Sequence, residues 1–142
     1  SFFSIPPGVS PLSGIMGSAL KNDSAWPIIR THYVTAGENV ESLLAISDLG
    51  CQGIVIAGFG AGEIPDTLLP TILDKAKQGV YIVISSRVSF CAVMPETMTL
   101  DECETIIASR HFNPQKSAVL LSLALYTGVS PLDIFSRGEI EG

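Results

Sequence analysis

The sequence predicts a three-layer α/β domain, in which a short parallel sheet of about four strands is covered by helices on both faces. A continuous apolar run at residues 53–59 is typical of a strand buried on both faces, and residues 80–86 are predicted to form another buried strand. Segments with helical periodicity separate such runs. Strands that alternate with helices imply parallel pairing through right-handed crossovers.

The first strand is predicted at residues 27–34, which are rich in β-branched and aromatic side chains. The helix after it spans Glu38–Leu49 and ends at Gly50. Its apolar residues at helical spacing are Val40, Leu43, Leu44 and Ile46. A second helix is predicted from Pro65 to Gln78, ahead of Gly79. Its predicted core face comprises Leu68, Leu69, Ile72, Leu73 and Ala76.

The segment between residues 88 and 105 has no regular pattern, and a short helical turn is predicted there at Leu100–Glu104. A short fourth strand follows at Thr105–Ala108. The resulting order of strands and helices indicates a flavodoxin-like or Rossmann-like arrangement.

Two helices complete the predicted fold. Asn113 is a good N-cap, and Pro114 suits the first position of a helix that runs to Gly128. A last short helix is predicted to start at Ser130-Pro131.

The chain has 142 residues, enough for one domain with a core of its own. Residues 1–26 are broken by proline and glycine and are predicted to be a linker or an edge segment, with a short helix or strand at Ile15–Leu20. Residues 27–142 form the predicted domain. With 46% hydrophobic residues, 15% charged residues and a mean hydropathy of +0.42, part of the surface is expected to be buried against a partner or a missing domain.

Charge and hydropathy exclude several classes of function. The net charge of −6 and the absence of a basic stripe argue against binding to nucleic acid. No apolar stretch is long enough to span a bilayer, so no membrane partner is expected. The residues from Ser1 to Pro7 lack the basic region of a signal peptide.

The three cysteines, Cys51, Cys91 and Cys103, have no CxxC spacing. That pattern argues against a disulfide framework and against a zinc site. Free thiols fit a reducing compartment, so a cytoplasmic location is predicted.

The glycine-rich segment Gly58–Glu63 lies between a predicted strand and a predicted helix, where α/β sheets bind ligands. A dinucleotide fingerprint would have glycine at position 63, and the carboxylate of Glu63 would repel a pyrophosphate. A tight turn that needs glycine and a turn that contacts a ligand both remain open.

Polar side chains also follow the third strand, at Ser85-Ser86-Arg87. The two histidines, His32 and His111, show no spacing that suggests a Ser-His mechanism, and there is no G-x-S-x-G segment. Strand-end serines are expected to bond the backbone instead, and Arg87 to hold carboxylates or carbonyls.

One acidic cluster follows in the chain, comprising Glu96, Asp101, Glu102 and Glu104. It is interpreted either as a solvated loop or as a loop whose carboxylate binds an ammonium group. The spacing of a calcium-binding EF-hand is absent.

Taken in order, four segments resemble the C-terminal domain of bacterial-type L-asparaginases and glutaminase-asparaginases. They are Gly53–Gly58 with its glycine turn, Ser85–Val88, Phe112–Lys116, and the leucine-rich helix after it. The resemblance covers residues 27–135 and is closest to the type II branch. It implies a two-domain, usually tetrameric enzyme that hydrolyses the side-chain amide of asparagine to aspartate and ammonia, without a metal or organic cofactor.

The resemblance also implies that the nucleophilic threonine and the residues that activate it lie in an N-terminal domain. This chain has no Thr-Gly-Gly-Thr and no Thr-Asp-Thr segment. No catalytic residue is therefore assigned here. The chain alone is predicted to be inactive, with a missing N-terminal catalytic domain and further copies of itself as partners.

In the family, an asparagine at the last position of the glycine turn and a glutamate in the following long loop reach the substrate of a neighbouring subunit. Here Glu63 stands at the position of the asparagine that contacts the substrate. Two places earlier, Ala61 replaces another asparagine of the family pattern. A carboxylate accepts hydrogen bonds but cannot donate them as an amide does. Position 63 therefore cannot donate the hydrogen bonds that an asparagine amide would.

The second contact in the family is the glutamate of the long loop. Its position, counted from Arg87 without gaps, is occupied here by Met98, which has no carboxylate. Glu96 is the nearest carboxylate before Met98, and Asp101 is the nearest after it. Glu63 and Glu96 are the predicted substrate-binding residues.

Two other interpretations remain open. The first is a non-catalytic ligand-binding or protein-interaction module on the same scaffold, which the residues at positions 61 and 63 favour. The second is the related subunit of a tRNA-dependent amidotransferase, against which Ser85–Val88 argues. An initial Ser1 agrees with a processed protein and with a piece of a longer chain.

Overall fold

The computed structural model of the chain describes residues 26–37, 40–48, 50–88 and 90–141. The predicted linker or edge segment at residues 1–26, with its short element at Ile15–Leu20, lies outside the described residues except for Trp26.

In the described part of the chain, the sheet contains four parallel strands: β1 (Ile29–Tyr33), β2 (Gly53–Gly58), β3 (Tyr81–Ser86) and β4 (Ile106–Ala108). They lie side by side in the order in which they occur in the sequence. The register pairs Ile29 with Gly53, Gly53 with Tyr81, and Ile82 with Ile106. The predicted parallel sheet and its short fourth strand are confirmed.

Among the described residues, four helices cover the sheet: α1 (Val40–Ser47), α2 (Leu69–Lys77), α3 (Pro114–Thr127) and α4 (Pro131–Glu141). Ile54 and Ile56 of β2 belong to the same core cluster as residues of α1 and α2. Val55 belongs to a second cluster with residues of α3 and α4. Since successive residues of a strand point to opposite faces, the helices lie on both faces. The predicted three-layer α/β fold is confirmed.

Every residue of β2 is buried, as the apolar run predicted. Gly53 allows α3 to approach closely, because a Cβ built there would lie 2.6 Å from Leu121 Cδ2. The central strand is therefore tightly packed between the two helical layers.

The predicted ends of α3 are confirmed, and Gly128 ends it with a φ of +77°. The first helix ends at Ser47, before the predicted Leu49, and Gly50 after it has a φ of +79°. At the start of α3, the Asn113 side chain accepts a hydrogen bond of 2.8 Å from the Lys116 amide.

The predicted start of the second helix at Pro65 is wrong, because α2 begins at Leu69. Pro70 has no N–H to donate to residue 66, so a helix that starts at Pro65 would lack this hydrogen bond. The residues before α2 instead form a turn, closed by a hydrogen bond from the Leu68 amide to the Pro65 carbonyl. The predicted core face is confirmed at Leu68, Ile72 and Ala76 but not at Leu73, which is 40% exposed.

The predicted helical turn at Leu100–Glu104 is wrong as well. The helical segment in this region is a 3₁₀ turn at Pro95–Thr97. Proline favours the first position of such a turn, and the Thr97 hydroxyl accepts a hydrogen bond from the Met94 amide. Residues 101–103 are not helical, and the Glu102 side chain there binds Arg110.

Candidate functional site

The carboxyl ends of parallel strands meet at one edge of a sheet, here called the carboxyl edge. It comprises the ends of β1 and β3, the glycine turn Gly58–Glu63 after β2, and Ser109-Arg110 after β4. The loop between β3 and β4 lies against it. The glycine turn, the end of β3 and the loop between β3 and β4 are the segments in which the sequence analysis considered functional side chains.

Arg87 ties the ends of three strands together. Its amide donates to the Gly58 carbonyl at 2.8 Å, and its Nη1 donates to the Val34 carbonyl at 3.2 Å. The guanidinium lies 5.1 Å from the ring centroids of both Tyr33 and Phe59, within range of a cation–π interaction. The Arg87 side chain therefore holds a carbonyl group, that of Val34, and the predicted role at an interface stays a prediction.

The strand-end serines bond the backbone, as predicted. The Ser85 hydroxyl donates to the Phe112 carbonyl at 3.2 Å. The Ser86 hydroxyl donates to the Gly58 carbonyl at 3.5 Å and accepts from the Val88 amide at 3.1 Å. Both side chains are buried, so they support the turn and loop around them.

The glycine turn is bound to the 3₁₀ turn and the residues after it. The Thr99 amide donates to the Gly62 carbonyl at 3.0 Å, and the Ile64 amide donates to Thr99 Oγ1 at 3.1 Å. The Thr97 hydroxyl donates to the Ala61 carbonyl at 2.5 Å. Position 62 requires glycine, because its φ is +112° and a Cβ there would lie 3.0 Å from the Cα of Met98.

The two predicted substrate-binding residues lie on these two connected segments. Glu63 is exposed, with a carboxylate oxygen 3.5 Å from the point that a Cβ of residue 60 would occupy. Glu96 is exposed in the 3₁₀ turn, one residue before Thr97. Met98 is half-buried and packs against the core cluster of α1 and α2. Both carboxylates therefore face solvent, and their role in substrate binding stays a prediction.

The acidic cluster divides between two environments. Glu102 forms a bidentate ion pair with Arg110, with distances of 2.7 Å and 3.0 Å. Glu96, Asp101 and Glu104 are exposed. Sequence reasoning missed this pair, because a separation of eight residues across a loop and a strand matches no local pattern.

The described residues include no group of three or more histidine, cysteine or acidic side chains that could hold a metal ion. Among the same residues, no helix is both long and apolar enough to cross a membrane.

A cleft of about 470 Å³ opens at the opposite, amino edge of the sheet. Its walls include Pro27, Gln52 and Tyr81, near the starts of three strands, and Tyr126 near the end of α3. Cys51 also lines it, and burial raises the pKa of the Cys51 thiol. The sequence did not reveal this cleft, because its walls come from four separate segments.

Fold and carboxyl edge together define an α/β domain with polar side chains gathered where parallel sheets bind ligands. The family model described as "Glutaminase/Asparaginase C-terminal domain" matches residues 29–135. The chain therefore belongs to the glutaminase/asparaginase C-terminal domain family, and the resemblance found in the sequence is confirmed.

The similar proteins include named asparaginases. L-asparaginase 2-3 of Saccharomyces cerevisiae is 38% identical over 115 residues, which are 78% of this chain and 30% of the yeast protein. L-asparaginase 2 of Escherichia coli is 39% identical over 90 residues, covering 63% of this chain and 26% of that protein. A "Probable L-asparaginase periplasmic" of Haemophilus influenzae is 37% identical over 70% of this chain and 28% of that protein. The chain thus spans less than a third of these relatives.

Proposed function

We propose that this chain is the C-terminal domain of an L-asparaginase-like amidohydrolase. The full-length enzyme would hydrolyse the side-chain amide of asparagine to aspartate and ammonia. The observation that carries the proposal is the family match at residues 29–135, with relatives named as asparaginases. The carboxyl edge, with its exposed Glu63 and Glu96, supports a contribution to a substrate site.

The nucleophile of this reaction would come from an N-terminal domain that the 142 residues do not include. The threonine segments expected of that domain are missing from the sequence, and the chain matches about 30% of its yeast relatives. A half-built site would bind little asparagine, aspartate or glutamine. We propose that copies of the protein associate, so that the carboxyl edge completes the site of a neighbouring subunit without a metal or organic cofactor.

Glu63 is the proposed partner of the substrate ammonium group. The glycine turn that carries Glu63 is bound to the segment of Thr97 and Thr99, so the position of its backbone is well defined. Met98, at the position where the resemblance predicts glutamate, supplies no charge. A carboxylate on the adjoining turn would replace that charge, and Glu96 on the 3₁₀ turn would supply a second one.

The test is the kinetics of the full-length protein with asparagine. Glu63→Gln is expected to raise KM about tenfold or more, because a hydrogen bond to a charged group contributes about 1.5–3 kcal/mol. Glu96→Gln is expected to raise KM by a smaller factor. Glu104→Gln is the matched control, since Glu104 is another exposed carboxylate and lies, like Glu96, in the loop between β3 and β4. An unchanged KM in Glu63→Gln would exclude this role for Glu63.

The chain alone provides an independent test. Purified chain is expected to release no ammonia from asparagine or glutamine, and calorimetry is expected to detect little or no binding. Turnover by the chain alone would mean that the nucleophile lies within these 142 residues. The assignment of catalysis to a missing domain would then be wrong.

A second candidate function is a non-catalytic ligand-binding or protein-interaction module on the same scaffold. The specific observation in its favour is Met98, whose packing against the core leaves no carboxylate at that position. The reading frame upstream of Ser1 discriminates the two functions. A Thr-Gly-Gly-Thr strand and a Thr-Asp-Thr loop there would support the enzyme, and their absence would support the module.

The cytoplasmic location is likewise a proposal. It is supported by three cysteines that form no disulfide, of which Cys103 is exposed. The name of the Haemophilus influenzae relative, by contrast, says periplasmic. Fractionation of the source cells with an antibody to the chain decides between the two compartments.

A further inference from the structure

Arg110 has an unusual backbone conformation for a residue with a side chain. Its φ is +57°, and among the described residues no other non-glycine residue has a positive φ. The conformation lets Arg110 form two backbone hydrogen bonds with Val93. The Arg110 amide donates to the Val93 carbonyl at 2.7 Å, and the Val93 amide donates back at 3.1 Å. Arg110 therefore holds the start of the segment that runs from Val93 to Glu102, here called loop 93–102.

The side chain of Arg110 holds the other end of the same loop. The guanidinium donates to both carboxylate oxygens of Glu102, and Nη1 also donates to the Ala108 carbonyl at 2.8 Å. Glu102 Oε2 accepts a further hydrogen bond of 2.9 Å from the Ala108 amide. The Arg110 side chain is only 4% exposed and that of Glu102 only 15%, so water screens the pair weakly.

Loop 93–102 in turn positions the glycine turn. Its middle residues Thr97 and Thr99 bond Ala61, Gly62 and Ile64. Val93 itself is fully buried, and its Cγ1 lies 3.0 Å from the point that a Cβ of Gly62 would occupy. A continuous set of contacts thus runs from Arg110, through both ends of the loop, to the turn that carries Glu63.

We propose that Arg110 is a positioning residue, which fixes loop 93–102 against the glycine turn and so sets the placement of Glu63 and Glu96. The effect on substrate rests on the proposed function, whereas the effect on the loop does not. A role confined to the end of β4 would leave the loop's contacts with the glycine turn unaffected. A positioning role requires those contacts to loosen when the pair with Glu102 is removed.

The effect of Arg110 on the loop is tested by hydrogen exchange of the chain, measured at the backbone amides of Thr99 and Ile64. Arg110→Gly suits the positive φ but removes the guanidinium, and Glu102→Gln removes the charge with little change of shape. Both variants are expected to exchange at these amides at least about tenfold faster than the wild type, while the amides of β2 are unchanged. Arg110→Lys is expected to be intermediate, because it keeps the charge but not the bidentate geometry.

Asp48→Asn is the matched control, because it removes the ion pair of 3.6 Å between the exposed Asp48 carboxylate and Lys75 at a distant site. It is expected to leave exchange at Thr99 and Ile64 unchanged. Equal exchange in the wild type, Arg110→Gly and Glu102→Gln would overturn the proposal. Faster exchange throughout the chain would also overturn it, because Arg110 would then stabilise the fold and not the loop.

The substrate part is tested in the full-length protein with asparagine. Arg110→Gly and Glu102→Gln are expected to raise KM several-fold more than they lower kcat, and Arg110→Lys to restore part of the loss. If the wild-type protein has no amidase activity, the proposed function fails while the exchange result stands. The positioning role alone fails if the wild type is active and the variants loosen the loop without changing KM.

Discussion

Gly62 illustrates how one residue joins two segments of the carboxyl edge. Its φ of +112° excludes most side chains, and Met98 and Val93 occupy the space where a Cβ would lie. Gly62→Ala is expected to lower the free energy of unfolding by about 3 kcal/mol, because backbone strain and overpacking add. Urea unfolding measured by circular dichroism would give this value.

Gly50 offers a control that separates the two causes. Its φ is +79°, and a Cβ there would meet nothing within 4 Å. Gly50→Ala is therefore expected to cost only about 1 kcal/mol, the cost of the left-handed conformation alone. Equal losses in the two variants would contradict the close contact between Gly62 and loop 93–102.

The resemblance indicated Glu63 as a candidate residue because the glycine turn is recognisable in the sequence. The Arg110–Glu102 pair could not be predicted in this way. It depends on a positive φ at Arg110 and on the path of a loop without periodicity. An ion pair across a loop depends on how the chain returns to the sheet, which local propensity does not specify.

At the scale of elements, α2 shows what helical spacing can and cannot predict. The pattern indicated both Ile72 and Leu73 as core residues, yet Ile72 is 1% exposed and Leu73 is 40% exposed. A helix buries one face only, and the later start of α2 at Leu69 does not change which residues share that face. The orientation of the helix on the sheet determines which of the two side chains is buried.

This difference gives a direct prediction. Ile72→Ala is expected to lower the free energy of unfolding by about 3 kcal/mol, through lost burial and a cavity. Leu73→Ala, the neighbouring control on the same helix, is expected to lower it by less than about 1 kcal/mol. Similar losses in urea unfolding would mean that the solvent-facing side of α2 is covered in the protein in solution.

At the scale of the whole molecule, the amino edge and the carboxyl edge of the sheet have different chemistry. The carboxyl edge gathers exposed carboxylates and Arg87, whereas the amino edge holds the cleft lined by Cys51. The low charge content that suggested a buried surface agrees with the exposed aromatic residues Trp26, Phe59 and Phe90.

The cysteines test whether the chain folds as described. Burial raises the pKa of Cys51, so less thiolate is present near neutral pH, whereas Cys103 is exposed. In the native chain at pH 8, a disulfide reagent is expected to modify Cys103 at least about a hundredfold faster than Cys51, and the difference is expected to vanish in urea. Mass spectrometry of the labelled peptides gives both rates. Equally fast labelling in the native state would contradict the burial of Cys51.

The same shift has a consequence for stability. The folded pKa of Cys51 lies above the unfolded one, so its contribution to stability is complete below the ordinary thiol pKa. That contribution is lost as the pH rises from there through the raised pKa. Cys51→Ala removes this part of the alkaline loss, and Cys103→Ala serves as the control in unfolding experiments between pH 7 and about 11.

The sequence by itself determined the fold class, the buried strands β2 and β3, and the two ends of α3 at Asn113 and Gly128. These features follow from hydrophobic periodicity and from the backbone preferences of single residues. Only the tertiary structure decided which face of α2 is buried, how loop 93–102 is held at both ends by Arg110, and where the amino-edge cleft lies. Those features depend on contacts between segments distant in the chain, whose geometry no local pattern specifies.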